Sequence, residues 1–117
     1  LMNLLVNAYQ AIETRLAEGA DPAPGHILIR TQRCGEGVSI DVHDNGVGIA
    51  DGDRSRIFDP FFTTKEVGAG TGLGLSTSYN IIQRHGGTLK AQARDGGGTV
   101  FEVWLPHDPL AVDSLGV

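Results

Sequence analysis

The sequence is poor in sulfur, in basic charge and in long apolar runs, and each shortage closes off a class of protein. Its single cysteine, Cys34, excludes an internal disulfide and a cysteine-based zinc cluster, and it reads as a structural or surface thiol with no role. No run of 18 apolar residues, signal-peptide pattern or internal repeat occurs, so a cytoplasmic piece without direct membrane contact is expected, whatever anchors a parent protein. Nine scattered Lys and Arg face fourteen Asp and Glu, a net charge of −5. That balance argues against nucleic acid as a partner, because such affinity rests on basic side chains neutralising phosphates. An acidic chain that binds a phosphorylated ligand must meet it with a metal ion, helix N-termini and a few placed cations.

Glycine is what the sequence has in excess, 17 of 117 residues, about twice the usual share of roughly 7%. The length suits one domain. Leu1, Leu4, Leu5, Ala8, Ile12 and Leu16 recur at helical spacing, and Gly19, Pro22 and Pro24 end the run. This helix begins on a periodic residue with neither cap nor initiator methionine, which reads as a chain cut inside or just before it. Residues 26–33 and 38–44 form a predicted hairpin, with Val38, Ile40 and Val42 alternating against Ser39, Asp41 and His43. Residues 45–72 are broken by glycine and proline, too long for an ordinary connection, and hold much of the glycine excess. A second helix is predicted over 73–85, then strands over 88–94 and 99–105 joined across Asp95-Gly96-Gly97-Gly98, with Pro106 as the stop. The expected domain is 1–106, followed by a frayed tail over 107–117. The expected fold is a two-layer α/β sandwich, its mostly antiparallel sheet covered on one face by helices.

Four segments carry candidate chemistry. Asn3 and Asn7 lie one turn apart on one helical face, with Gln10 on the same stripe. A solvated polar stripe accounts for them; so does a metal site, since an amide oxygen gives Mg²⁺ a hard ligand without added charge. Asp44 ends a strand before Asn45-Gly46-Val47-Gly48. The segment reads as a plain turn or as a base pocket in which Asp44 accepts a hydrogen bond from the exocyclic amine of adenine. Guanine would present a carbonyl there, so Asp44 would select ATP over GTP. Gly68-Ala69-Gly70-Thr71-Gly72-Leu73-Gly74 runs into the second helix, where backbone N–H groups and a positive helix end suit phosphate. A hinge without ligand is the other reading. The spacing fits neither a Walker loop nor a dinucleotide fingerprint. Lys65 precedes the glycines and could meet a γ-phosphate beneath a closed lid. Phe58, Phe61 and Phe62 beside it suit either an apolar lid anchor or ordinary core packing. His43 and His85 read as structural, and no pair among the four histidines has metal-ligand spacing.

Asn3 to Ala8, Asp44 to Ile49, Phe58 to Lys65 and Gly70 to Leu75, in that order, resemble the N, first glycine, F and second glycine boxes of sensor histidine kinases. The match continues through His85-Gly86-Gly87 and Gly98-Thr99 to about Pro106. The resemblance implies a Bergerat-type ATP-binding fold of the GHKL superfamily, with Asn7 holding Mg²⁺, Asp44 reading adenine, and Gly46 and Gly48 lining the base pocket. It further implies that Asn3 lies near the phosphates, that Gly70, Thr71, Gly72, Leu73 and Gly74 shape the phosphate site, and that Thr99 supports the adenine pocket. Lys65 and Asn3 are then the candidate catalytic residues. The wording at Asn7 to Ala11 and at Phe61 to Lys65 looks most like the nitrogen-regulation branch. The implied partners are a histidine-containing dimerisation domain of the same parent and, through it, a response regulator; the fragment itself is expected to be monomeric.

ATPases of the same superfold carry a glutamate one turn before the metal asparagine, where this chain has Asn3, a poor general base. Hydrolysis, an anti-sigma-factor type of serine kinase and a module that only binds nucleotide are the alternatives. The family's phosphoacceptor histidine has no counterpart here, so the fragment is expected not to phosphorylate itself.

Overall fold

A computed structural model of the chain describes residues 1–19, 22–59 and 74–107. Helix α1 (Met2–Glu18) exists because Leu4, Ala8 and Ile12 recur every fourth residue and give it one continuous apolar stripe, 1%, 0% and 8% exposed. Gly19 ends it in the left-handed region at φ 70°, its N–H donating to the Leu16 carbonyl.

Strands β1 (Ile27–Cys34) and β2 (Gly37–Asp44) form the first hairpin, in register from Ile27 opposite Asp44 to Cys34 opposite Gly37. The turn is therefore only Gly35 and Glu36, with Gly35 at φ 61°. Helix α2 (Gly74–Arg84) leads to β3 (Thr88–Ala93) and β4 (Thr99–Pro106). Its end lies just before the predicted one because Gly86 and Gly87 donate to the carbonyls of Gln83 and Ile82, both at 3.0 Å, a Schellman closure that stops the helix. The order across the sheet is β1-β2-β4-β3, and every described pairing is antiparallel. The two-layer α/β expectation holds.

The covered face of the sheet supplies Val42, Leu89, Phe101 and Val103 to the core, α1 supplies Leu4 and Ala8, and Ile57 enters from the segment after β2. Beside Ile57, Phe58 packs against this core and stacks on Tyr79 of α2 at a centroid distance of 5.3 Å. The start of the glycine-rich connection is thus held by ordinary packing. Phe61, Phe62 and the rest of the expected lid lie outside the described residues. So do residues 108–117 of the tail; His107 donates its N–H to the Glu36 carbonyl at 2.8 Å. No helix among the described residues is long and apolar enough to cross a membrane.

The alternation that buries Val42 and Phe101 also buries one position further along each strand. Those positions are Asp44 and Thr99, cross-strand partners at the end of the sheet, 1% and 3% exposed. The core therefore ends in a polar pair.

Candidate functional site

Asn3, Asn7 and Ala11 form a second stripe on α1 at four-residue spacing, beside the buried one. Each end of this stripe is tied to a different glycine segment. Asn3 donates from Nδ2 to the carbonyl of Gly74, the first residue of α2, at 3.1 Å. Eight residues further along, the Ala11 carbonyl accepts the N–H of Val47 at 3.0 Å. Gly46 lies flat on the same turn of helix: a Cβ there would come within 2.5 Å of the Ala11 carbonyl carbon. The two anchor points are about 12 Å apart along the helix axis, at about 1.5 Å of rise per residue. Asn7 sits between them, half-buried. Its side chain has no hydrogen-bond partner among the described residues.

Asp44 is held by one oxygen and left open at the other. Oδ1 accepts the Gly46 N–H at 2.8 Å, whereas Oδ2 is buried without a hydrogen-bond partner among the described residues. Desolvation is the largest influence on this carboxyl and pushes its pKa up. The backbone N–H groups of Gly46 and Thr99, then the charges of Arg94 and His43, pull it down without reversing the shift. A buried acceptor with no donor costs free energy, and such groups are rare unless something else supplies the bond. Asp44 is therefore an acceptor in want of a donor.

The backbone around Asp44 is clamped from two sides, by Ala11 on the helix and by the tip of the β3–β4 hairpin on the sheet. A Cβ on Gly98 would overlap the Asp44 carbonyl oxygen and lie 2.9 Å from Asn45 Cα. Gly48, at φ 82°, passes close to the Gly98 carbonyl, 3.5 Å from where its own Cβ would be. Asn45 faces away from this cluster: its Oδ1 accepts the His26 N–H at 2.7 Å and its Nδ2 donates to the Pro24 carbonyl at 2.8 Å. It ties the entry of β1 to the exit of β2.

Of the residues singled out in the sequence, Asp44, Gly46, Gly48 and Thr99 come together at the sheet end, and Asn3 meets Gly74 at the start of α2. Asn7 lies on the stripe that joins these two places. Lys65, Gly70, Thr71, Gly72 and Leu73 lie outside the described residues. Among the described residues no group of three or more His, Cys, Asp or Glu could hold a metal ion. Sequence reasoning gave Ala11 no part in the site, and it took Gly98 only as the neighbour of Thr99 in the family match, without a role of its own.

A helix face tied at both ends to glycine segments, laid over one side of an antiparallel sheet, gives the chain the two-layer α/β architecture of the Bergerat type. The chain belongs to the family of histidine kinase-, DNA gyrase B- and HSP90-like ATPases, whose model it matches over residues 1–109. It is 42% identical over 116 residues to the sensor histidine kinase ZraS of Escherichia coli (strain K12), a match covering 99% of this chain and 23% of that one. It is also 42% identical to the sensor kinase CckA of Brucella abortus (strain 2308), of which it covers 12%. The chain thus spans less than a quarter of these curated relatives. Among solved structures, the catalytic domain of histidine kinase ThkA aligns at a TM-score of 0.69 and 32% identity, covering 89% of this chain and 60% of that one. Full-length ShkA in complex with AMPPNP aligns at 0.71 and 28% identity, covering 89% of this chain and 20% of that one.

Proposed function

We propose that this chain, over residues 1–106, binds Mg²⁺-ATP and presents the γ-phosphoryl group to a histidine on a separate dimerisation domain, in two-component signal transduction. The observation that carries the reading is Asp44 Oδ2, a buried carboxylate oxygen at the end of the sheet with no donor among the described residues. The exocyclic amine of adenine is such a donor, and bonding to it would remove the cost of leaving Oδ2 unpaired. Guanine offers an acceptor at the same place and would leave the cost standing.

Asn7 fits a metal site because its amide oxygen is neutral and unengaged among the described residues, and a Mg²⁺ shared with phosphates takes few protein ligands. Bound Mg²⁺ would supply neutralisation of phosphate charge. Asn3 holds the first residue of α2 against α1 and so keeps the helix end toward which the phosphates would lie. Its amide is a poor base, which favours storing ATP for transfer over activating water. Gly70, Thr71, Gly72, Leu73 and Gly74 are assigned to the phosphates, Gly46, Gly48 and Thr99 to the base pocket, and Lys65 to the γ-phosphate. That ShkA was crystallised with an ATP analogue agrees with the reading. The receiving domain belongs to the parent protein, and a response regulator takes the phosphoryl group from it. The nitrogen-regulation branch remains a reading of the wording at Asn7 to Ala11 and Phe61 to Lys65.

Titration calorimetry with MgATP and MgGTP tests the proposal. ATP is expected to bind at least about tenfold more tightly, the worth of one buried charge-assisted hydrogen bond gained or lost. Asn7→Ala is expected to abolish the Mg²⁺-dependent part of the affinity. Equal affinity for the two nucleotides would remove the assignment of Asp44, and an unchanged Mg²⁺ dependence would remove that of Asn7.

A further inference from the structure

The β3–β4 turn contains three successive glycines at positive φ, 86°, 109° and 104° for Gly96, Gly97 and Gly98. Two of them have no steric need to be glycine beyond their backbone angles: Gly97 has nothing within 4 Å of a notional Cβ, and Gly96 meets only the far end of Arg94. Gly98 differs. Its Cβ would run into the backbone of Asp44 and Asn45, and its carbonyl faces Gly48. The hairpin tip is therefore pressed against the peptide that carries Asp44, while Ala11 and Val47 hold the following residues from the helix side. The tip itself is closed by Arg94: its N–H donates to the Gly98 carbonyl at 3.1 Å, its carbonyl accepts the Gly97 N–H at 3.0 Å, and its Nη1 donates to the Gly97 carbonyl at 3.0 Å.

We propose that Gly98, with Arg94 clasping the turn behind it, is a positioning element for nucleobase discrimination: it fixes the backbone of Asp44 so that the carboxylate can meet only one hydrogen-bond pattern. The inference rests on the adenine-reading role of Asp44 proposed above. Discrimination between an amine and a carbonyl at the same place depends on a rigid acceptor, because a carboxylate free to turn away from guanine would escape the cost of facing a lone pair. Oδ1 is fixed by Gly46 and the strand side of Asp44 by its pairing with β1 and β4, which leaves the Asp44–Asn45 peptide, where the chain departs from the sheet, as the remaining freedom. Gly98 occupies the space into which that peptide would move.

Gly97 provides the control, since Gly97→Ala and Gly98→Ala impose similar backbone strain and only the second touches Asp44. Calorimetry with MgATP and MgGTP, beside a thermal melt of each protein, reads the affinity ratio separately from stability. Gly97→Ala is expected to lower stability and keep the wild-type ratio within about twofold, and Gly98→Ala to lower the ratio by about tenfold, the scale of one misplaced buried hydrogen bond. A wild-type ratio in folded Gly98→Ala, or an equal loss in Gly97→Ala, would overturn the inference. A wild-type protein with no preference for ATP would instead overturn the base-reading role itself, a separable outcome.

Should Gly98→Ala fail to fold, Arg94→Ala loosens the same turn without adding an atom. Its ratio is to be read on the alkaline plateau of the binding curve, where the carboxylate is ionised with or without the Arg94 charge. A loss of about threefold or more is expected there, and an unchanged ratio would overturn the inference.

Discussion

Asp44 is a carboxylate kept where a charge is costly, and its pH behaviour follows from that. Burial raises its pKa in the folded chain, so the folded state holds the proton more tightly than the unfolded state does. The stabilisation this brings is fully present below the ordinary carboxylate range and is lost as pH rises through the raised value. Once ionised, the group is a net cost to the free protein. Thermal melts of wild type and Asp44→Asn should therefore show the variant gaining relative stability as pH rises from the ordinary carboxylate range through the raised value, while its ATP affinity falls by at least about tenfold. A stability difference that stays constant with pH would count against a raised pKa. Asp44 was legible from its strand end and the glycines that follow. Ala11 was not, because its part in the site is played by a backbone carbonyl and by having a side chain small enough for Gly46 to approach, neither of which marks the sequence. Asn45 was placed in the pocket by adjacency alone, yet its side chain turns to Pro24 and His26.

At the scale of elements, the site depends on two close approaches, α1 to the loop after β2 and the β3–β4 tip to the same loop. Gly46→Ala tests the first. The new Cβ would meet the backbone of Ala11 at 2.5 Å, and a helix backbone cannot turn aside as a side chain can. A loss of about 2–3 kcal/mol is expected from urea unfolding, the upper part of the range for forcing atoms into a packed site, with an unchanged denaturant slope. Gly19→Ala is the comparison: it shares no such contact and should lose about 1 kcal/mol, from left-handed strain alone. An equal loss in both would mean that the α1 contact contributes nothing. Helices and hairpins were legible because their periods and turn glycines are local. The union of the hairpins through β2 and β4 is a long-range pairing that no local pattern specifies. Edge strand β1 shows the same limit, for Ile27 and Ile29 alternate toward the helical face yet remain 40% and 44% exposed. Alternation tells which face a residue takes, and coverage of that face depends on where the helices lie.

For the whole molecule, the proposed function raises the question of where the phosphoryl group would go. His85 lies just past the end of α2, with Nδ1 within 2.8 Å of the Ile81 carbonyl, and His43 is half-buried in β2. His26 and His107 lie outside the strands they adjoin. None of these imidazoles stands on a helix, and under the proposed function a nucleotide bound along α1 would send its γ-phosphoryl to an imidazole brought from outside, in line with the leaving oxygen. Incubation of the chain with Mg²⁺ and γ-labelled ATP is therefore expected to leave the chain itself unlabelled and to release phosphate slowly. Adding a separately produced histidine-bearing dimerisation domain of a sensor kinase should yield an acid-labile, alkali-stable label on that domain, the stability pattern of a phosphoimidazole. Lys65→Ala should slow this transfer by at least about tenfold if its charge meets the γ-phosphate during the step. Label on the chain alone would contradict the placement of the acceptor outside it. Rapid multiple-turnover hydrolysis would show instead that water is activated here despite Asn3, and would move the chain toward the ATPases that share its family.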